Sequence, residues 1–109
     1  MKLVIAIVHN DDAHKLRNAL IEDDFRVTKL QTSGGFLRAE NATLLMGVEE
    51  ERLPNLMKHI EEICQTRNEL VVSPVSEFFT AGPHMGLPLE VVVGGATIFI
   101  LDVDQFIKI

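Results

Sequence analysis

Between Phe25 and Ala39 the chain carries Arg26, Lys29 and Arg38 and no acid, although the whole protein is acidic. This positive island encloses Ser33-Gly34-Gly35. The backbone amides there can approach an anion closely, because glycine has no β-carbon in the way. Phe36 follows as an aromatic in a polar stretch, and Asn41 lies just beyond. An Asn side chain can pair at two points with an adenine edge. Anion, ring face and base edge are the three things a purine nucleotide presents. The same residues also suit a solvated hairpin loop with a buried Phe36, since Gly-Gly loops are common and this is no Walker motif.

A second candidate is Gly94-Gly95-Ala96-Thr97-Ile98-Phe99. It reads either as an amide-rich corner for phosphate with Phe99 as a stacking surface, or as a tight hairpin turn between two core strands. His9, His14, His59 and His84 show no HxH or HxxxH spacing, and surface positions suit them better than a metal site. Cys64 falls in an apolar helical stripe and reads as a small core residue. Glu49-Glu50-Glu51 at a helix start complements the helix dipole. No serine elbow, Cys–His signature or metal-binding acid pair is visible, so nothing in the pattern argues for an enzyme.

The elements that must hold these residues follow from the apolar spacing. Leu3–Val8 is a continuous apolar run and predicts a central strand. Asn10 is a candidate cap for a helix in which Ala13, Leu16 and Leu20 recur, ending near Asp23. Phe25–Gln31 alternates like a half-buried strand, and Asn41–Val48 is a second apolar strand. Pro54 opens a second helix running to about Arg67. Strands are expected at Leu70–Val75, Leu89–Val93 and Ala96–Val103, with Gly94-Gly95 as a hairpin turn and Ser76–Pro88 as a loop. A weak repeat at an offset of 40 aligns Val8 with Val48, Asp11 with Glu51, Leu16 with Leu56 and Leu20 with Ile60. Two βαβ halves make an α+β, ferredoxin-like split βαβ arrangement with an additional C-terminal hairpin.

The 109 residues suit a single domain spanning 1–109. Apolar residues at 47% and charged residues at 24% exclude intrinsic disorder. A domain this small leaves much surface to bury, so an obligate oligomer is plausible. The net charge of −6 argues against nucleic acid or an anionic membrane as a partner. A single cysteine forbids an internal disulfide and fits a reducing, cytoplasmic setting. The N-terminal apolar run is too short for a membrane span.

Arg26-Val27-Thr28-Lys29-Leu30, Thr32-Ser33-Gly34-Gly35-Phe36-Leu37, Asn41-Ala42-Thr43, Met46-Gly47-Val48 and Val93-Gly94-Gly95-Ala96-Thr97-Ile98-Phe99, with Gln105-Phe106, resemble the PII-like cyclic di-AMP receptor proteins. The resemblance runs from Met1 to the C-terminus and departs at Ser76–Pro88, where an unusual Phe78-Phe79 pair stands. It implies a PII-like homotrimer of ferredoxin-like subunits from bacteria, acting as a non-enzymatic sensor of cyclic di-AMP. The ligand would sit between subunits, with no further cofactor, and its state would pass through mobile loops to an unidentified protein target. Arg26 and Thr28 would face it. Gly35, Phe36 and Leu37 would line an adenine pocket, Asn41 would read the base edge, and Gly47 would allow close approach. Gly94, Gly95, Ala96 and Phe99 would come from the neighbouring part of the cleft, and Gln105 from the C-terminal end. The related nitrogen-regulatory PII proteins modify a loop tyrosine. This chain has no Tyr, and Thr97 stands where a lysine would be expected after the glycine turn, which disfavours ATP with 2-oxoglutarate. Two alternatives stay open: a ferredoxin-like interaction or metal-tolerance-type module without a nucleotide site, and a PII-type sensor of another adenine nucleotide. Thr32–Glu40 and Ser76–Pro88, glycine-bearing and polar, are expected to be mobile without ligand, the first ordering on binding.

Overall fold

A computed structural model describes residues 1–30, 40–72 and 88–109. Strand β1 is Lys2–His9, helix α1 Asn10–Glu22, β2 Thr28–Leu30 and β3 Asn41–Val48. A 3-10 turn, Glu50–Arg52, leads into helix α2, Leu53–Ile63. Then come β4 Arg67–Val72, β5 Pro88–Val93 and β6 Ala96–Asp102. The result is a small α+β fold with an antiparallel sheet in the order β2-β3-β1-β6 and two helices, consistent with a ferredoxin-like or PII-like arrangement.

The apolar run of β1 lies inside the sheet, as its pattern predicts. Val4, Ala6 and Val8 alternate with Leu3, Ile5 and Ile7, and only the first set is fully buried. That set meets Ala42, Leu44, Met46 and Val48 of β3, and the helices cover it with Ala13, Leu16, Leu20, Leu56 and Ile60. Every apolar pair of the offset-40 repeat is buried: Val8 with Val48, Leu16 with Leu56, Leu20 with Ile60. The repeat is thus a statement about which side chains face the core. Cys64, just past α2, is buried in the same cluster, as its place in the stripe predicts.

Several local readings need correction. The cap of α1 is His9, not Asn10: His9 is extended and its Nδ1 accepts from the Asp11 N–H at 3.2 Å. β2 is shorter than Phe25–Gln31 because Phe25 turns into the core, with its N–H bonded back to the Leu20 carbonyl at 2.8 Å. α2 ends at Ile63, so Arg67 opens β4.

The expected C-terminal hairpin of β5 with β6 does not form. β5 pairs with β4, Val93 opposite Arg67, in a separate two-stranded sheet. β6 instead pairs with β1 and completes the four-stranded sheet. Gly94 and Gly95 (φ +86° and +80°) carry the chain from one sheet to the other. The corner rests on the Gln65–Arg67 segment. A β-carbon on Gly94 would collide with the Gln65 carbonyl oxygen and lie 2.7 Å from Arg67 Nη1.

Candidate functional site

The strand register sets out the face of the sheet that the helices leave uncovered. Gly47 lies opposite Leu3, Leu45 opposite Ile5, Thr43 opposite Ile7 and Asn41 opposite His9. Thr28 joins Leu45 on the β2 side, and Phe99 joins Ile5 on the β6 side. Thr28, Asn41, Gly47 and Phe99 therefore share one face, as the period of two requires. It is an apolar face: Leu3, Ile5, Ile7 and Leu45 are only half-buried, and Phe99 and Leu101 are exposed.

At one end of this face lies a cleft of about 560 Å³. Three predicted residues line it: Arg26, Thr28 and Gly47. Leu45, Arg52 and Phe106 line it as well. Gln105 adjoins Phe106 in the C-terminal segment but is not part of the cleft wall. Gly47 is informative here. Its added β-carbon would meet nothing nearer than the Met1 sulfur at 4.0 Å. The fold itself therefore does not require a glycine there. A glycine within a strand often marks a place where another molecule comes close.

The corner leading into Arg26 is closely held. Asp24 has φ 62°, unusual for a residue with a side chain. The Asp24 N–H donates to the Ile21 carbonyl and the Phe25 N–H to the Leu20 carbonyl, the paired bonds of a Schellman ending. Arg52 closes over it. Its Nη2 donates to the Asp23 carbonyl at 2.6 Å and its Nη1 to the Asp24 carbonyl at 3.3 Å. The guanidinium lies 3.9 Å from the centre of the Phe25 ring. His59 Nε2 meets Asp23 Oδ2 at 2.9 Å, and the His59 and Phe25 rings pack edge to face. Sequence reading missed Arg52, and His59 is half-buried and partnered rather than a plain surface histidine. No spacing rule relates residues this far apart in the chain.

The remaining predicted residues lie elsewhere. Asn41 is at the opposite end of β3 from Gly47, about 20 Å away at the rise of a strand. Ala96, paired with Val8, starts β6 at that same end, just after Gly94 and Gly95. Phe99 sits midway along the face. Gly35, Phe36 and Leu37 lie outside the described residues, as do the loop expectations for 32–39 and 76–87.

The family model described as cyclic-di-AMP receptor matches residues 1–109. The chain belongs to the cyclic di-AMP receptor family. Membership of a receptor family supports a ligand-binding, signalling role. A solved structure from Pediococcus pentosaceus ATCC 25745, described as a functionally unknown protein, is 42% identical with a TM-score of 0.75. The match covers 99% of this chain and 96% of that one.

A second cluster borders the Gly94 corner. Asp12 is buried and takes a two-point contact from Arg67: Nη2 to Oδ1 at 3.0 Å and Nη1 to Oδ2 at 3.3 Å. Arg67 Nη1 also donates to the Gln65 carbonyl at 3.0 Å. Burial, reinforced by the Asp12 charge and opposed by Arg67, pushes the Cys64 thiol up to about 11. At the other end of β1, Lys2 pairs with Asp102; their hydrogen bond raises the lysine and lowers the carboxyl. No helix among the described residues is long and apolar enough to cross a membrane. No group of three or more metal-ligating side chains occurs among them either.

Proposed function

We propose that this chain binds cyclic di-AMP between the subunits of a homotrimer and relays the ligand state through its loops to a protein target. The observation that carries the reading is the way the predicted residues divide between the two ends of the sheet. Arg26, Thr28 and Gly47 gather at the cleft end, while Asn41 and the Gly94–Ala96 corner stand at the far end. One copy thus presents two half-sites, and a second copy brings one to the other. The apolar residues between them supply a surface for that contact. Arg26 offers charge to the phosphates, Thr28 a hydroxyl, Gly47 room and Asn41 an amide for the adenine edge. The assigned site is Arg26, Thr28, Gly35, Phe36, Leu37, Asn41, Gly47, Gly94, Gly95, Ala96, Phe99 and Gln105.

Titration calorimetry with cyclic di-AMP and ATP tests this, using wild type, Arg26→Ala, Asn41→Ala and Gly47→Ala at two salt concentrations. Wild type binds cyclic di-AMP in preference to ATP. Asn41→Ala loses a neutral two-point pair, typically about 1–3 kcal/mol, with little salt dependence. Arg26→Ala weakens binding mainly through charge, so its effect shrinks as salt rises. Gly47→Ala weakens binding while leaving the fold intact, because its methyl enters open space in the free chain. Heat with ATP and none with cyclic di-AMP overturns the reading, and a monomer mass by light scattering with ligand present overturns the trimer.

A further inference from the structure

We infer that Arg52 is a positioning residue for the ligand: it fixes the corner that delivers Arg26 to the cleft. The inference rests on the cleft being the cyclic di-AMP site proposed above. Arg52 comes from the turn before α2, and the corner it holds ends α1, so the contact joins the two halves of the fold. Its bonds are to the main chain. One nitrogen takes the Asp23 carbonyl, the other the Asp24 carbonyl, and the flat face lies over the Phe25 ring. Those three residues immediately precede Arg26. The Asp23 carboxylate stands 3.5 Å from the same guanidinium and is shared with His59.

This arrangement answers a local problem. Asp24 occupies a left-handed conformation that is unfavourable for a residue bearing a β-carbon. The two carbonyls at the helix end have no helical donors of their own. A planar, forked cation satisfies both at once and leaves its face for the ring. An ammonium ion retains the charge but not the fork. Arg52 also lines the cleft, yet its donors are turned to the corner, so its part in recognition is to set where Arg26 starts.

The test is a binding cycle by calorimetry on the full chain with cyclic di-AMP: wild type, Arg52→Lys, Arg26→Ala and the double variant. Circular dichroism and light scattering check fold and mass first. Arg52→Lys keeps the charge and is expected to bind about tenfold weaker, the loss of a charge-assisted fork. In the Arg26→Ala background the same change is expected to cost no more than about twofold, because residues acting through one another are not additive. In ligand-free protein, the amide resonances of Asp24, Phe25 and Arg26 shift in Arg52→Lys. Wild-type affinity in Arg52→Lys overturns the inference, and so do fully additive effects, which would mean that Arg52 touches the ligand itself. Unmoved amides overturn it too. An absence of cyclic di-AMP binding by the wild type sinks the functional reading along with it, so the two failures are distinguishable.

Discussion

The two halves of the fold solve the same closure problem with opposite chemistry. At one junction, Arg52 before α2 reaches to the carbonyls that end α1. At the other, Asp12 in the first turn of α1 reaches to Arg67 just past α2. The start of each helix is tied to the end of the other, so the helices run antiparallel. Positions 12 and 52 are also equivalent in the offset-40 repeat. One half places a donor there and the other an acceptor. Beside each tie stands a corner with positive φ: Asp24 in the first, Gly94-Gly95 in the second. The corners differ in space. Asp24 is exposed, whereas Gly94 is pressed against backbone. The first tolerates a side chain at a conformational cost, and the second excludes one.

The largest effect expected from this contrast is at Gly94. Gly94→Ala forces a methyl against the Gln65 carbonyl and the Arg67 guanidinium at an unfavourable φ. Strain and collision together should destabilise by about 3 kcal/mol or more. Urea unfolding checks it. A loss under about 1 kcal/mol means that the corner can shift, and the contrast between the corners fails.

The tie at Asp12 comes next. Asp12→Ala removes a buried acceptor, but Arg67 is partly exposed and can turn to water. The cost should be about 1–3 kcal/mol, short of that for stranding a fully buried charge. Cys64 reports on the same junction. Its thiol is raised from 9.0 to about 11 in the fold. Between those values the unfolded chain loses the proton and the folded chain keeps it. The thiol's contribution is therefore fully present below pH 9.0 and is lost as pH rises towards about 11. Asp12→Ala removes one of the charges that raise the thiol, so iodoacetamide should label native Cys64 faster at pH 9 than in wild type. Equal rates separate the thiol from the tie.

What the sequence made legible follows the same division. Strand β1, strand β3 and both helices were readable because each carries an apolar period that the core uses. Leu16 and Leu56 are fully buried at matching positions. Gly94-Gly95 was readable as a turn, since positive φ at two successive residues favours glycine. The strands on either side were readable too, but their pairing was not. An apolar run announces a strand without saying which edge it joins, and β6 pairs with β1 across nearly the whole chain. The cleft was half legible. Arg26 stood out by its charge, and Thr28 and Gly47 came only with the family resemblance; Arg52 came with neither, because its role depends on carbonyls 28 and 29 residues away. Asp24 was hidden by identity: the position calls for glycine and the sequence shows an acid.

That substitution provides the smallest and most discriminating measurement. In Asp24→Gly the left-handed residue loses its β-carbon, which removes a penalty of roughly 1 kcal/mol. Glycine also frees the unfolded chain, which returns about 0.4–1 kcal/mol of that gain. The net change should lie between zero and about 0.5 kcal/mol of stabilisation. Arg52 bonds to the main-chain carbonyls of Asp23 and Asp24, so its hold on the corner survives the change. Paired urea curves for Asp24→Gly and Gly94→Ala should thus move in opposite directions, although both positions share a positive φ. Loss of more than about 1 kcal/mol in Asp24→Gly would show that the carboxylate itself holds the corner. The distinction between a corner held by its backbone and one held by lack of space would then collapse.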